Sequence, residues 1–121
     1  LITADTVVIN DDKILGKPAD RQEAIAMIKS LSGHQHKVVT GVTISTTARQ
    51  SSFSVETLVE FAQLTDQEIE HYVDTYKPMD KAGAYGIQEW IGCIGVKNIN
   101  GSFYNVMGLP LHRLYTELKE F

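Results

Sequence analysis

The sequence predicts an α/β fold built on a mixed, elongated sheet with flanking helices, and three observations carry that expectation. First, runs of β-branched and apolar residues recur at 1–9, 37–46 and 53–64, the composition that suits a pleated, half-buried surface. Second, two stretches open on helix-capping signals and continue with apolar residues at helical spacing, beginning at Asp20 and Thr65. Third, these two kinds of segment interleave along the chain, with no internal repeat, linker or low-complexity stretch.

In order, residues 1–9 read as a strand, and Asn10-Asp11-Asp12-Lys13 as a turn that sends Ile14-Leu15 back as a hairpin. Asp5 interrupts the strand. A carboxylate in a buried strand is costly unless it is paired, hydrogen-bonded or metal-bound, so Asp5 is a functional candidate against the plainer alternative of a solvated strand end. Gly16-Lys17-Pro18 follows, where Pro18 holds Lys17 extended and the ammonium can be aimed at an anion. It is not a Walker A loop, which requires a longer spacer and a Ser or Thr after the lysine. Asp20 and Glu23 form a capping box, Ala24, Ile25, Ile28 and Leu31 give one buried face, and Gly33 ends the helix.

His34 and His36 would share one strand face, a conceivable metal pair with no third ligand nearby. Residues 37–46 are a strand in which Gly41 marks a bulge or a close backbone approach. Residues 46–52 read as a turn. From Phe53, alternation puts Phe53, Val55, Thr57, Val59 and Phe61 on one face of an antiparallel partner strand. Thr65 and Glu68 form a second capping box; Ile69, Tyr72, Val73 and Tyr76 make the helix stripe, which Pro78 terminates. Asp80-Lys81-Ala82-Gly83-Ala84-Tyr85-Gly86-Ile87-Gln88 is a glycine loop with an adjacent cation, in which N–H groups near Gly83 and Gly86 are candidate contacts for phosphate or base. A strand is expected over Trp90–Ile99, an Asn100-Gly101 hairpin turn after it, a returning strand over 102–107, and a last helix entered through Pro110 with Leu111, Leu114, Tyr115 and Leu118 as its stripe.

Composition narrows the function classes. At 121 residues, 43% of them hydrophobic, the chain is expected to form a single domain spanning 1–121 that buries about two-thirds of its unfolded surface. A formal charge of −4 without a basic cluster argues against nucleic acid as a partner. No apolar run approaches the ~18 residues of a membrane span. One cysteine, Cys93, excludes an internal disulfide and suits a reducing, cytoplasmic setting; its apolar surroundings suggest a small core residue rather than a nucleophile.

Taken in register, these motifs resemble one family. Ala4-Asp5-Thr6-Val7-Val8, Ile14-Leu15-Gly16-Lys17-Pro18, Leu31-Ser32-Gly33, Thr40-Gly41, Glu56-Thr57, the 80–88 loop, Gly101-Ser102, Tyr104-Asn105-Val106 and Gly108-Leu109-Pro110-Leu111 are similar to the Maf (septum formation) proteins, over the whole chain. The resemblance implies a fold like that of the inosine triphosphate pyrophosphatases and hydrolysis of a nucleoside triphosphate to monophosphate and pyrophosphate with Mg2+ or Mn2+. It places the catalytic and metal-holding carboxylate on Asp5 and the phosphate contacts on Lys17 and Lys81. Thr6 after the aspartate and Gln88 closing the loop match the branch acting on dTTP and UTP, and a homodimer is implied.

The family's opening strand and Ser-x-Ser-Pro-Arg-Arg loop are not found in this sequence, which starts in mid-strand at Leu1, so an N-terminal portion is expected to be missing. A residue usually arginine in the family is His34 here. The alternative function is a catalytically inactive nucleotide-binding fragment or a cell-division interaction protein. For the substrates that the resemblance implies, Gln88 offers a donor and an acceptor together, which suits the O4/N3–H edge of uracil and thymine and mispairs with cytosine. Neighbouring strand residues point to opposite faces, so Asp5 and Thr6 can both line one site only at a strand end or bulge, with Thr6 otherwise acting through its backbone or supporting Asp5 from behind; the strand end is expected.

Overall fold

The computed structural model describes residues 1–121. Five strands form one sheet in the order β2-β1-β3-β4-β5, with every neighbouring pair antiparallel. They are β1 (Ile2–Asn10), β2 (Lys13–Leu15), β3 (Gln35–Ser45), β4 (Gln50–Phe61) and β5 (Val96–Asn100). The α/β expectation holds, with a helical crossover as part of it, but the sheet is antiparallel throughout rather than mixed. The helix α1 (Arg21–Leu31) links β2 to β3, which run parallel on either side of β1.

The capping signals act as expected. Asp20 accepts a hydrogen bond from the Glu23 N–H at 2.8 Å; the Glu23 carboxylate takes the Ala19 N–H one residue before the cap. For α2 (Asp66–Tyr76) the Thr65–Glu68 box is complete in both directions. Alternation in β3 puts His36, Val38, Thr40, Val42 and Ile44 on one face, all buried. Helices α1 and α2 cover one end of that face around Ile28, Leu31, Ile69, Tyr72 and Phe61. The last helix, α5 (Leu111–Glu120), covers the other end, through Leu114 on Val42 and Ile44. The opposite face, carrying Lys37, Val39, Gly41 and Glu56, has no helix layer.

Several expectations are corrected. The apolar run at 90–99 divides into a short helix, α3 (Trp90–Gly95), and β5, instead of forming one strand. Gly92 explains the break: a Cβ there would lie 1.8 Å from the Ile87 carbonyl oxygen, so the chain folds back on the preceding loop in a way only glycine permits. Helical spacing then turns Ile91 into the core and leaves Cys93 exposed, which removes its expected place in the interior. Residues 102–107 form no returning strand. Ser102 caps a short helix, α4 (Phe103–Met107), by accepting from the Asn105 N–H, and Gly108 closes it at φ 118°.

The β3–β4 turn is shorter than expected, because the polar residues Gln50, Ser51 and Ser52 pair with Ser45, Ile44 and Thr43; β4 in turn ends at Phe61. Gly41 makes no bulge. It pairs in regular register with Asp5 on one side and Ser54 on the other, with open space where its side chain would be. On α5, Leu111, Tyr115 and Leu118 remain exposed, so the expected stripe buries only Leu114.

Candidate active site

A cavity of about 230 Å3 lies between β1, the 80–88 loop and the C-terminal end of α4. Its wall on β1 is Ala4, Asp5, Thr6 and Val8; the loops contribute Lys17, Asp80, Lys81, Ala82, Tyr85, Gly86 and Gln88; α4 closes it with Val106, Met107 and Gly108. Five of the six residues singled out from the sequence therefore meet in one cleft, although they come from three separated segments: Asp5, Thr6, Lys17, Lys81 and Gln88.

Asp5 and Thr6 are in mid-strand, in unbroken register with Gly41 and Thr40, so the strand-end expectation does not hold. They share the cleft for another reason. Before Val8, no strand within residues 1–121 pairs with the outer edge of β1, because β2 pairs only with Val8, Ile9 and Asn10. The cleft wraps that open edge and reaches side chains from both faces. Asp5 is accordingly exposed, which overturns the reasoning from burial that first singled it out. No hydrogen bond or ion pair occupies its carboxylate, leaving both oxygens for a ligand. Thr6 points to the helix side and hydrogen-bonds Thr40 at 2.8 Å.

The glycine loop works differently from the expectation. The Gly83 N–H donates to the Gly16 carbonyl at 3.1 Å, and the Gly86 N–H donates to the Tyr72 hydroxyl at 3.0 Å, so neither is free for phosphate or base. Gly83 is not on the cavity wall. At φ +71° it packs where a Cβ would come within 2.9 Å of Val8, and its hydrogen bond joins the Lys17 loop to the Lys81 loop. Its role is to hold the two lysine-bearing segments together. Gly86 leaves room for the Lys81 stem and for Glu89, both of which would lie 2.7 Å from a Cβ. The Lys81 ammonium, about a quarter exposed, pairs with Asp80 at 3.5 Å. An exposed partner of that kind contributes at most ~1 kcal/mol, so a competing anion displaces it readily.

Two buried tyrosines set the loop's position. Tyr72 donates to Glu89 at 2.6 Å while accepting from Gly86; burial, then the Glu89 bond, raises its phenol well above the ordinary value, so it stays protonated. Tyr85 lies 2.6 Å from His36 Nε2, with its own phenol raised by burial. Burial lowers His36 to about 4, keeping it neutral. His36 therefore braces Tyr85 from inside, edge-on to Phe61, while His34 stays exposed outside the strand. They form no metal pair, and no group of three or more His, Cys, Asp or Glu side chains is placed to hold an ion. Reading from the sequence missed Tyr85 and the α4 wall. The signal for α4 was present in Ser102 and Gly108, a cap and a stop with five residues between them, but Asn100-Gly101 outweighed it as a hairpin turn.

Together these features define a small α/β domain whose cleft offers two cations, an unpaired carboxylate and a base-sized polar amide. The family to which it belongs follows directly: the chain matches the Maf-like protein family over residues 1–121, and it is a member of that family. It is 63% identical over 121 residues to a dTTP/UTP pyrophosphatase of Parabacteroides distasonis, covering 100% of this chain and 63% of that protein. It is 61% identical over 121 residues to one from Porphyromonas gingivalis, covering 100% and 61%. With one from Bacteroides thetaiotaomicron it shares 61% over 120 residues, covering 99% and 62%. The chain thus spans less than two thirds of the length of these relatives. No helix is long and apolar enough to cross a membrane.

Proposed function

We propose that this chain carries the nucleotide cleft of a nucleoside triphosphate pyrophosphatase that converts dTTP and UTP to the monophosphate and pyrophosphate. The observation that carries the reading is the convergence of Asp5, Lys17, Lys81 and Gln88 on one cavity. Hydrolysis at the α-phosphorus requires an oriented, deprotonated water and compensation of charge on the leaving pyrophosphate. Asp5, unpaired and open to solvent, orients the water and takes its proton. Lys17 and Lys81 hold phosphate oxygens as point charges. Gln88, exposed at the cleft's mouth, reads the base.

A divalent cation, Mg2+ or Mn2+, fits this donor set. One free carboxylate at the cleft suits an ion whose remaining ligands are substrate phosphates and water, and Asp5 would be its protein ligand. Bound there, it would neutralise phosphate oxygens. A cytoplasmic setting and a homodimer complete the proposal. Pyrophosphate release measured across dTTP, UTP, CTP, ATP and GTP tests it. Turnover confined to dTTP and UTP is the expected result. Tight binding of nucleotides with no release would favour a non-catalytic nucleotide-binding protein instead.

A further inference from the structure

Behind the cleft, a chain of hydrogen bonds crosses the sheet to α4. Thr6 Oγ1 lies 2.8 Å from Thr40 Oγ1, and Thr40 Oγ1 lies 3.1 Å from the Asn105 carbonyl oxygen. Thr40 is wholly buried. It has a single hydroxyl proton for two oxygen neighbours. If that proton went to Thr6, Thr40 and the Asn105 carbonyl would face each other as two acceptors in a site without water, at a cost that buried polar groups avoid. The proton therefore goes to Asn105, whose carbonyl also receives the Gly108 N–H at 3.0 Å. Thr40 must then accept from Thr6. The Thr6 proton is committed inward, and only lone pairs remain toward the cleft.

We infer that Thr40 is a positioning residue that makes Thr6 an obligate acceptor, so that this point of the cleft admits a hydrogen-bond donor of the ligand and repels a bare acceptor. In the nucleotide reading on which this rests, the donor is an imide N–H of the base or a hydroxyl of the sugar. Both have the same chemistry at Thr6, and substrate pairs distinguish them. UTP and CTP differ at base N3, a donor in one and an acceptor in the other. UTP and 3′-deoxy-UTP differ in a sugar donor.

The test uses Thr40→Val, which keeps the volume and removes the relay, beside Thr40→Ser, which keeps the hydroxyl. In Thr40→Val the Thr6 hydroxyl is free to turn and donate. The UTP-to-CTP affinity ratio, measured by calorimetry, is expected to fall about tenfold if the base is read, or the UTP-to-3′-deoxy-UTP ratio if the sugar is read. Thr40→Ser should keep both wild-type ratios, which a purely structural role for the site does not predict. Unchanged ratios in Thr40→Val, or equal shifts in both variants, would overturn the inference. Proton NMR of the unliganded chain reads the same relay independently of any nucleotide. A nuclear Overhauser contact between the Thr40 hydroxyl proton and the Gly108 amide proton supports it, and a Thr40 hydroxyl proton directed at Thr6 overturns it. A chain that binds no nucleotide yet shows the Gly108 contact contradicts the pyrophosphatase reading and upholds the relay.

Discussion

At the residue scale, the cleft divides into side chains that open onto the cavity and side chains that hold them in place. Gln88 is exposed at the mouth and makes no hydrogen bond within the protein, so its amide is available in full. Truncation there should cost selectivity before stability. Gln88→Ala is expected to leave the melting temperature unchanged and to lower the UTP-over-CTP preference in kcat/KM about five- to tenfold, since a lost hydrogen bond to substrate is worth roughly 1–1.5 kcal/mol. An unchanged preference would remove Gln88 from base reading. The residues that converge on the cavity were legible in the sequence from their setting, an aspartate within a β-branched run and lysines beside glycines, although the burial first argued for Asp5 is not what places it there. The glycines were misjudged. A glycine that admits a ligand and a glycine that admits Val8 or a lysine stem look the same in sequence, and only the packed neighbours separate Gly83 and Gly86 from anion-binding glycines.

At the element scale, the cleft depends on α4, a five-residue helix that is too short to be stable alone. Asn105 anchors it. Its side-chain amide nitrogen lies 3.2, 2.9 and 3.0 Å from the Val38 carbonyl, the Val55 carbonyl and Thr57 Oγ1, which share its two protons, stitching α4 to β3 and β4 from a wholly buried position. Asn105→Ala removes those bonds and leaves a cavity. It should destabilise the protein by roughly 2–4 kcal/mol, and displace the Val106–Gly108 wall as well. Thr65→Ala, which removes a cap far from the cleft, should cost only about 1 kcal/mol and leave nucleotide affinity intact. Denaturant melts with a parallel binding titration separate the two. If Asn105→Ala cost no more than Thr65→Ala, the anchoring role would be wrong. The two elements also mark the limits of sequence reading. The Thr65 box is local, four residues bonding one another, and was legible. The α4 helix exists because a side chain reaches two distant strands, and no window of six residues contains that information.

At the scale of the whole fold, the five strands of residues 1–121 carry helices on one face, and the cleft is sited at the Ile2–Val7 edge of β1, which β2 does not pair. The order of elements and the crossover through α1 followed from period and caps, since long alternating runs have one consistent reading. The helix α3 did not, because Gly92 folds the chain back through a contact with Ile87 that is invisible to periodicity. Global stability should carry the signature of His36, which sits on the buried face between Phe61 and Tyr85. Its folded value of about 4 lies below the ordinary 6.5, so between those values the unfolded chain binds the extra proton and the folded chain does not. Its contribution is complete above pH 6.5 and is lost as pH falls toward 4, on the order of 3 kcal/mol in all. Urea melts from pH 7 to 4 should show that loss. A His36→Gln variant should flatten the profile in this window, and an equally steep profile in the variant would assign the effect elsewhere.

The measurement that bears most directly on the whole account is single-turnover pyrophosphate release from dTTP by the wild-type chain and by Asp5→Asn, with dTTP affinity measured in parallel. Asp5 is exposed and makes no bond within the fold, so the substitution should leave melting temperature unchanged and nucleotide still bound through Lys17 and Lys81. Loss of the proton acceptor is expected to slow release by at least about a hundredfold. Release by Asp5→Asn at the wild-type rate would contradict the account at its centre.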